Sequence, residues 1–235
     1  MLPMPETGTE LPDIPHGMPL LHYEKPALGL NYWLLDEALP NALDVSKRCF
    51  NSGSWKLGYP HTSEKWPGMR SKKALKKDEL EKVEAWVKSV TGAKRLWTPE
   101  LSGGNKVDCN VAQLVGKNES GALPHTDSRN LCHLAAVIYL SPKPDPKAGT
   151  TFYRLRYPNG AAGGNIVLEP HINLKDALKV QRLPPEAWYE DVQIDNKFNR
   201  MLLYKANLVH SATAYFGQDK RDRRLTALFF WMAEF

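Results

Sequence analysis

The sequence predicts an all-β core with flanking helices, an α+β chain in which the helices come first. Before about residue 105 the clearest pattern is helical, and after it short β-rich segments alternate with Gly, Pro and Asn. Strands punctuated in this way favour a sandwich, jelly roll or barrel over a doubly wound α/β fold. No internal repeat or strong linker interrupts the chain, so residues 1–235 are expected to form one domain.

Residues 1–105 are predicted to be an N-terminal arm followed by supporting helices. The first 30 residues are rich in proline and lack periodicity, which indicates an extended arm. A short helix is expected over residues 36–50 with Asp36 as its cap. A longer helix is expected over residues 71–91, where Gly92 follows as a stop and apolar residues recur at helical spacing: Leu80, Val83, Val87 and Val90.

Residues 106–235 are predicted to be the β core, and to carry the function. The expected strands are residues 106–115, 133–140, 150–156, 165–168, 200–205 and 223–232. Residues 154–198 are longer than a compact core requires and contain clustered glycines and a Pro-Pro pair. We therefore expect an insertion there, one that covers the substrate and sets its choice.

Composition excludes several classes of protein. Hydrophobic residues at 42% and charged residues at 24% indicate a folded chain, and its apolar runs are too short to span a membrane. The start lacks a secretory signal pattern, so a cytoplasmic location is expected. Three cysteines without CxxC spacing suggest neither disulfides nor a zinc knuckle. A net charge of +5 is too mild to indicate a nucleic-acid partner.

The candidate metal ligands are His125, Asp127 and His210. His125 and Asp127 are two residues apart, so in an extended segment both side chains project to the same face. His210 follows 85 residues after His125, just beyond an apolar strand. Two histidines and one carboxylate on one face suit Fe(II), and they leave the opposite positions open. A His-x-Asp pair alone is a weak signal, because composition supplies such pairs by chance.

A candidate carboxylate-binding pair strengthens the prediction of a metal site. Arg224 and Thr226 face the same way in a predicted strand, 14 and 16 residues after His210. An arginine fork beside a hydroxyl is suited to holding a carboxylate inside an apolar barrel. Arg221 and Arg223 are alternative arginines, although Arg223 would face away from Arg224 and Arg221 lies in the preceding turn.

Together these motifs resemble the Fe(II)/2-oxoglutarate-dependent dioxygenases, in particular the prolyl-hydroxylase-like branch. The resemblance spans about residues 106–232 and includes the strand that ends near Tyr139. It implies a double-stranded β-helix (jelly roll, cupin-like) with N-terminal helical support. By resemblance, His125, Asp127 and His210 bind iron, Arg224 holds the distal carboxylate of 2-oxoglutarate, and Tyr139 and Thr226 add hydroxyls to it.

The resemblance also implies O2 as a reactant and hydroxylation or another oxidation as the outcome. Related halogenases leave open the position that Asp127 fills, so chlorination is not expected. The substrate is expected to be a small molecule, such as an amino acid or natural-product intermediate. The alternatives are a protein or peptide residue, or a cupin-like module that binds a ligand or metal without catalysis.

Two further residues are candidates for substrate binding, and nucleic acid is not expected as a substrate. Arg70 precedes the long predicted helix in a loop-like segment, and His171 lies in the predicted insertion. The paired arginines of nucleic-acid-demethylating relatives, spaced Arg-x5-Arg after the distal histidine, are missing. His133 is expected to be structural, and His16, His22 and His61 receive no role.

Overall fold

The structure is a computed structural model that describes residues 21–57, 67–100 and 109–235. Its helices are α1 (Ala42–Phe50), α2 (Lys77–Thr91) and α3 (Leu174–Leu178). Its strands are β1 (Tyr32–Leu35), β2 (Lys56–Leu57), β3 (Met69–Lys72), β4 (Arg95–Trp97), β5 (Val111–Val115), β6 (Leu134–Tyr139), β7 (Thr150–Leu155), β8 (Trp188–Ile194), β9 (Met201–Lys205), β10 (His210–Ala212) and β11 (Arg224–Glu234).

The strands form two antiparallel sheets. The larger sheet has the order β1-β9-β6-β11-β5-β3-β2, and β4 adds to one end of β11. The smaller sheet has the order β10-β7-β8. Residues of both sheets share one apolar core, where Phe152 of β7 packs with Tyr139 and Leu202. The fold is thus a jelly roll of two sheets, which confirms the predicted all-β core with flanking helices.

The central strands of the large sheet are buried on both faces, and each face has its own neighbours. In β6, Leu134, Ala136 and Ile138 belong to the core under the helices. The alternate residues Ala135, Val137 and Tyr139 belong to the core between the sheets. Because side chains alternate along a strand, such a doubly buried strand reads as a continuous apolar run.

Helices α1 and α2 cover the outer face of the large sheet. Val45 and Val87 are fully buried there, together with Leu114 of β5. A buried hydrogen bond joins α1 to the sheet, since Ser46 Oγ donates to the Leu140 carbonyl at 2.7 Å. The helices therefore close the side of the sheet opposite the smaller sheet.

Both predicted helices begin later than expected. The predicted cap Asp36 instead accepts hydrogen bonds from Arg200 and Lys197, and α1 begins only at Ala42. The long helix begins at Lys77 because Met69–Lys72 pairs with β5, and the Lys76 backbone N–H donates to Glu79 at 2.7 Å. Its end is confirmed: Gly92 adopts the left-handed conformation, with φ of 76°.

The predicted strands match except at one place. Residues 165–168 make only isolated bridges, in which Ile166 pairs with His22 and Leu208. Sequence reasoning missed β1, β2, β3, β4, β8 and β10. Strand β8 lies inside residues 154–198 and pairs along β7, so this part of the predicted insertion belongs to the small sheet. Residues 106–108, and residues 1–20 of the predicted arm, lie outside the described residues.

Two expectations from composition concern features of the described chain. Cys49, Cys109 and Cys132 are all free thiols, and the first and last are buried. None of the described helices combines the length and the hydropathy that crossing a bilayer would require.

We predict that the core beneath the helices dominates stability. Leu114→Ala removes a side chain with no exposed surface and should lower the free energy of unfolding by about 2–5 kcal/mol. Leu57→Ala is the control, since Leu57 is 82% exposed, and should change it by less than about 0.5 kcal/mol. Urea unfolding followed by circular dichroism measures both; equal effects would contradict this packing.

Candidate metal centre

Two histidines far apart in sequence are paired directly through their backbones. The His125 N–H donates to the His210 carbonyl at 3.0 Å, and the His210 N–H donates to the His125 carbonyl at 2.9 Å. The residues are therefore cross-strand neighbours, and their ring centroids lie 4.5 Å apart. Strand β10 is placed in turn by β7, where His210 lies opposite Phe152.

Both imidazoles are oriented in the same way. His125 Nδ1 lies 2.7 Å from the Leu123 carbonyl, and His210 Nδ1 lies 2.8 Å from the Leu208 carbonyl. A carbonyl oxygen only accepts, so each Nδ1 donates a proton to it, and when the ring is neutral Nε2 keeps its lone pair for a metal. Backbone carbonyls orient metal-binding histidines in this way in many proteins.

Asp127 completes the cluster. Its backbone N–H donates to the Ala206 carbonyl at 3.0 Å, which holds it beside the segment that leads to β10. Its Oδ2 is buried, accepts no hydrogen bond from any described residue, and lies 3.6 Å from His210 Nε2. One ligand atom from each of His125, Asp127 and His210 lies within 4.8 Å of the others. A buried carboxylate oxygen without a donor suits a cation.

The electrostatics of these ligands also suit a divalent cation. Burial lowers the pKa of His210 to about 4, so its imidazole is neutral at pH 7. Burial raises the pKa of Asp127 to about 6, and the charges of His125 and Arg70 oppose that rise. At pH 7 the site therefore presents neutral imidazole nitrogen and a carboxylate, the donor set that suits Fe(II).

The triad opens into an inner cavity of about 130 Å³, and Arg224 forms part of its wall. Arg224 is 2% exposed; its Nε donates to the Ala148 carbonyl at 2.8 Å and its Nη2 to the Gly149 carbonyl at 3.1 Å. No described residue hydrogen-bonds to Nη1, so that end of the fork remains for a ligand. Arg224 thus lines the same cavity as the triad, and its contact with a carboxylate stays a prediction.

The alternative arginines lie elsewhere. Arg223 pairs with Glu119 at 2.6 Å, and its Nε donates to the Gln218 carbonyl. Arg221 is exposed and donates to Asn51 Oδ1. Neither lines the inner cavity.

The hydroxyls predicted to contact the cosubstrate are those of Tyr139 and Thr226, and both are buried. Tyr139 is fully buried, and its hydroxyl donates to Thr150 Oγ1 at 2.8 Å, so Thr150 is the residue that reaches the cavity wall. Thr226 Oγ1 is buried, and the described residues make no hydrogen bond to it. Thr226 lies on the same face of β11 as Arg224 but does not itself line the inner cavity, so its contact with a cosubstrate also stays a prediction. The direct contact of Tyr139 with a cosubstrate stays a prediction.

Of the two residues predicted to bind substrate, the structure brings one to the cavity. Arg70 of β3 is 4% exposed and lines the inner cavity. It lies in one row across the large sheet with Gln113, Thr226 and Tyr139, each opposite the next. His171 does not line this cavity or the larger one beside it. It is half-exposed, and its Nδ1 lies 3.3 Å from Asp176 Oδ2.

A second cavity of about 510 Å³, the outer cavity, adjoins the triad. His125 and Asp127 line both cavities, and the far wall of the outer one is formed by α3 and the segment that follows it. Thr126, between the two ligands, accepts a hydrogen bond at 2.9 Å from the Leu174 N–H at the start of α3. The outer wall is therefore joined directly to the metal-binding segment.

Sequence reasoning missed several polar residues of the inner cavity. Gln113 is the polar member of the buried strand β5, and an isolated amide in an apolar strand was the available signal. Tyr204 and Tyr215 also line the cavity. The ring centroids of Tyr204 and His210 are 4.4 Å apart. Burial raises the pKa of both phenols, so both are neutral donors. No sequence pattern distinguished these tyrosines from core tyrosines.

We predict that Asp127→Asn stabilises the metal-free protein. The folded-state pKa of Asp127, about 6, lies above its ordinary value, so ionisation opposes folding and its cost is complete above pH 6. In the presence of a chelator at pH 7.5, urea unfolding should show that the free energy of unfolding of the variant exceeds that of the wild type by on the order of 1–3 kcal/mol. The difference should be smaller at pH 5. Added Zn(II) or Ni(II) should reverse the order, because metal stabilises only the wild type. A less stable variant in chelator would contradict this.

We predict that Thr126 positions α3. Thr126→Val leaves the buried Leu174 N–H without its acceptor and should destabilise the fold by about 1–3 kcal/mol, with faster hydrogen exchange at Leu174. Thr126→Ser keeps the hydroxyl and should restore slow exchange at Leu174. Amide hydrogen exchange at Leu174, measured by mass spectrometry or NMR, tests the prediction. Slow exchange at Leu174 in the valine variant would show that α3 is held by other contacts.

Solved structures share the fold of this chain. The non-heme alpha ketoglutarate dependent epimerase SnoN from nogalamycin biosynthesis is 16% identical; the match covers 85% of this chain and 78% of that chain, with a TM-score of 0.50. This likeness confirms the predicted double-stranded β-helix.

Other solved structures are similar at a lower score. HygX from Streptomyces hygroscopicus, solved with nickel, 2-oxoglutarate and hygromycin B, is 14% identical over 84% of this chain and 81% of that chain, with a TM-score of 0.49. A Trichoplax adhaerens prolyl hydroxylase, solved with a hypoxia inducible factor peptide fragment, is 13% identical over 86% and 83%, also with a TM-score of 0.49.

Sequence comparison identifies a family. No curated protein matches this chain. Residues 59–231 match the family model described as a family of unknown function, DUF6445. The matched region includes all three residues of the candidate metal centre, together with Arg70 and Arg224. The match spans well over half of the sequence, and the chain is therefore a member of the DUF6445 family.

Proposed function

We propose that this chain is an Fe(II)- and 2-oxoglutarate-dependent oxygenase that oxidises a C–H bond of a small molecule and releases succinate and CO2. The observation that carries the proposal is the convergence of His125, Asp127 and His210 in the wall of a cavity that Arg224 also lines. The three ligand atoms converge without any described hydrogen-bond donor to Asp127 Oδ2, as a metal site requires.

The residues of the inner cavity fit 2-oxoglutarate. A dicarboxylate needs a cation at its far end, and Arg224 offers a guanidinium fixed by two backbone carbonyls. Thr226 Oγ1 offers a hydroxyl on the same face of β11. Both residues are almost fully buried, which strengthens a charge-assisted contact relative to one in water.

When bound, iron with 2-oxoglutarate and O2 supplies the oxidising power: one oxygen atom enters succinate and the other enters the substrate. The protein contributes placement. His125 and His210 hold their Nε2 atoms at fixed positions through the Leu123 and Leu208 carbonyls, while Asp127 supplies the negative charge. Apolar side chains around the inner cavity limit the access of water: Leu131, Val137, Leu228 and Phe230.

The substrate is proposed to enter through the outer cavity. That cavity meets the triad at His125 and Asp127, so a molecule there can present a C–H bond to the metal. Its wall, α3 and the following segment to Trp188, includes part of the predicted insertion and would set the choice of substrate. An amino acid or a natural-product intermediate is the proposed class. Because Asp127 occupies the third ligand position, the proposed product is oxidised and not chlorinated.

We predict that loss of a metal ligand abolishes turnover. His125→Ala and Asp127→Ala should each reduce metal-dependent formation of succinate from 2-oxoglutarate to background, because two protein ligands hold iron much less tightly than three. Succinate is measured by mass spectrometry with and without Fe(II), over panels of metabolites and of peptides. Turnover stimulated by peptides alone would favour a peptide hydroxylase. Iron binding without succinate on either panel would favour a non-catalytic module.

We predict that Arg224 determines cosubstrate affinity. Arg224→Gln should raise the Kd for 2-oxoglutarate at least tenfold while Ni(II) affinity changes less than threefold, because the charge at the far carboxylate is lost and the triad is intact. Arg223→Gln is the matched control and should change neither, since Arg223 pairs with Glu119 outside the cavity. Calorimetry on Ni(II)-loaded protein measures both constants. Normal 2-oxoglutarate affinity in the Arg224 variant would remove Arg224 from this role.

A further inference from the structure

The inner cavity contains a second buried arginine whose role the cosubstrate does not explain. Arg70 and Arg224 are 4% and 2% exposed and come from different strands, β3 and β11. Arg224 lies against the rings of Tyr139 and Tyr215, with its guanidinium carbon 5.5 and 5.7 Å from their centroids. Arg70 lies close enough to Asp127 for their charges to interact. Arg70 is therefore the cation on the metal side of the cavity.

The walls of both cavities are basic. Among the described residues that line the two cavities, Asp127 is the only acid, and in the proposed function it is a metal ligand. The outer cavity adds Lys175 and Arg182 at exposed positions on and after α3. A molecule that passes from the outer cavity towards the triad therefore moves along positive charge, which favours an anion.

We propose that Arg70 binds a carboxylate of the substrate, and that the substrate is a small organic acid. This proposal rests on the proposed function, because it takes Asp127 as a metal ligand and Arg224 as the partner of 2-oxoglutarate. A guanidinium is charged at all relevant pH values and has five N–H donors, so Arg70 keeps its protein contacts and still holds a carboxylate. Gln113, opposite Arg70 on β5, adds an amide at the same wall.

The charge balance favours a carboxylate over a phosphate. A phosphate monoester carries about −1.5 to −2 at pH 7, whereas a carboxylate carries a single negative charge. Arg70 is the one basic side chain described on the metal side of the inner cavity, which matches a single charge. The nearby wall is apolar at Leu131, Val137 and Leu228, which suits the carbon chain of an acid held by its carboxylate. Anchoring the acid there would place its chain beside the metal.

The test compares acids with uncharged amides of the same shape. The probes are phenylacetate with phenylacetamide, hexanoate with hexanamide, and phenyl phosphate. Each is titrated by calorimetry into wild-type protein saturated with Ni(II) and 2-oxoglutarate, so that Arg224 is already occupied. We expect at least one acid to bind at least tenfold more tightly than its amide, and more tightly than phenyl phosphate.

Variants of Arg70 assign that preference to one side chain. Arg70→Gln should reduce the preference for acid over amide to twofold or less while amide and 2-oxoglutarate affinities stay within threefold. Arg70→Lys keeps the charge without the fork and should retain a reduced preference, and it serves in place of the glutamine variant should that variant fail to fold. Arg95→Gln is the control, because Arg95 is exposed, pairs with Glu234 and lines neither cavity.

Several outcomes would overturn the proposal. They are equal binding of acids and amides by the wild type, a preference for phenyl phosphate, or an acid preference that survives Arg70→Gln. Loss of 2-oxoglutarate binding in Arg70→Gln, as large as in Arg224→Gln, would assign Arg70 to the cosubstrate instead. Failure of the proposed function has a different signature: wild-type protein would not bind 2-oxoglutarate at all. The acid and amide titrations are then repeated on metal-free protein, where they still decide whether Arg70 selects an acid.

Discussion

The candidate site depends on one backbone interaction, the reciprocal hydrogen bonding of His125 and His210. These residues are 85 positions apart, and sheet pairing makes them direct neighbours. Each ring is then oriented by the carbonyl two residues before it, so the same local geometry is used twice. Side-chain attraction between two imidazoles would not impose this arrangement, whereas two backbone hydrogen bonds in a sheet do. Asp127 follows from the same pairing, because it is two residues beyond His125.

A second constraint is the alternation of side chains in the large sheet. In β11, Leu225, Ala227 and Phe229 face the helices, while Arg224 and Thr226 face the smaller sheet. A shift of one residue in the register would move the arginine into the helix layer and an apolar side chain into the cavity. The helices α1 and α2 make such a shift costly, since they bury the apolar set. Packing of the apolar side chains of β11 against the helices therefore fixes the register that directs Arg224 and Thr226 towards the smaller sheet.

Prediction from sequence worked best where one local rule decided the structure. The helix end at Gly92 follows from its left-handed conformation, and the doubly buried strands follow from their apolar runs. It was wrong where distant partners decided. Asp36 is predicted to cap a helix, but Arg200, 164 residues later in the chain, binds it. Residues 165–168 seemed a strand, yet Ile166 makes only single bridges. Strand β8 was assigned to an insertion, because its residues are mostly polar and only partly buried, which makes the apolar signal weak.

The sequence by itself determined the fold class, the identity of the three candidate metal ligands and the face on which Arg224 lies, because spacing along a strand dictates direction. Only the tertiary structure decided which hydroxyl reaches the cavity, that Arg70 lies there and that His171 does not. Those outcomes depend on which strands become neighbours across the sheets. Pairing between strands is a contact between residues remote in sequence, and no local pattern of residue types encodes it.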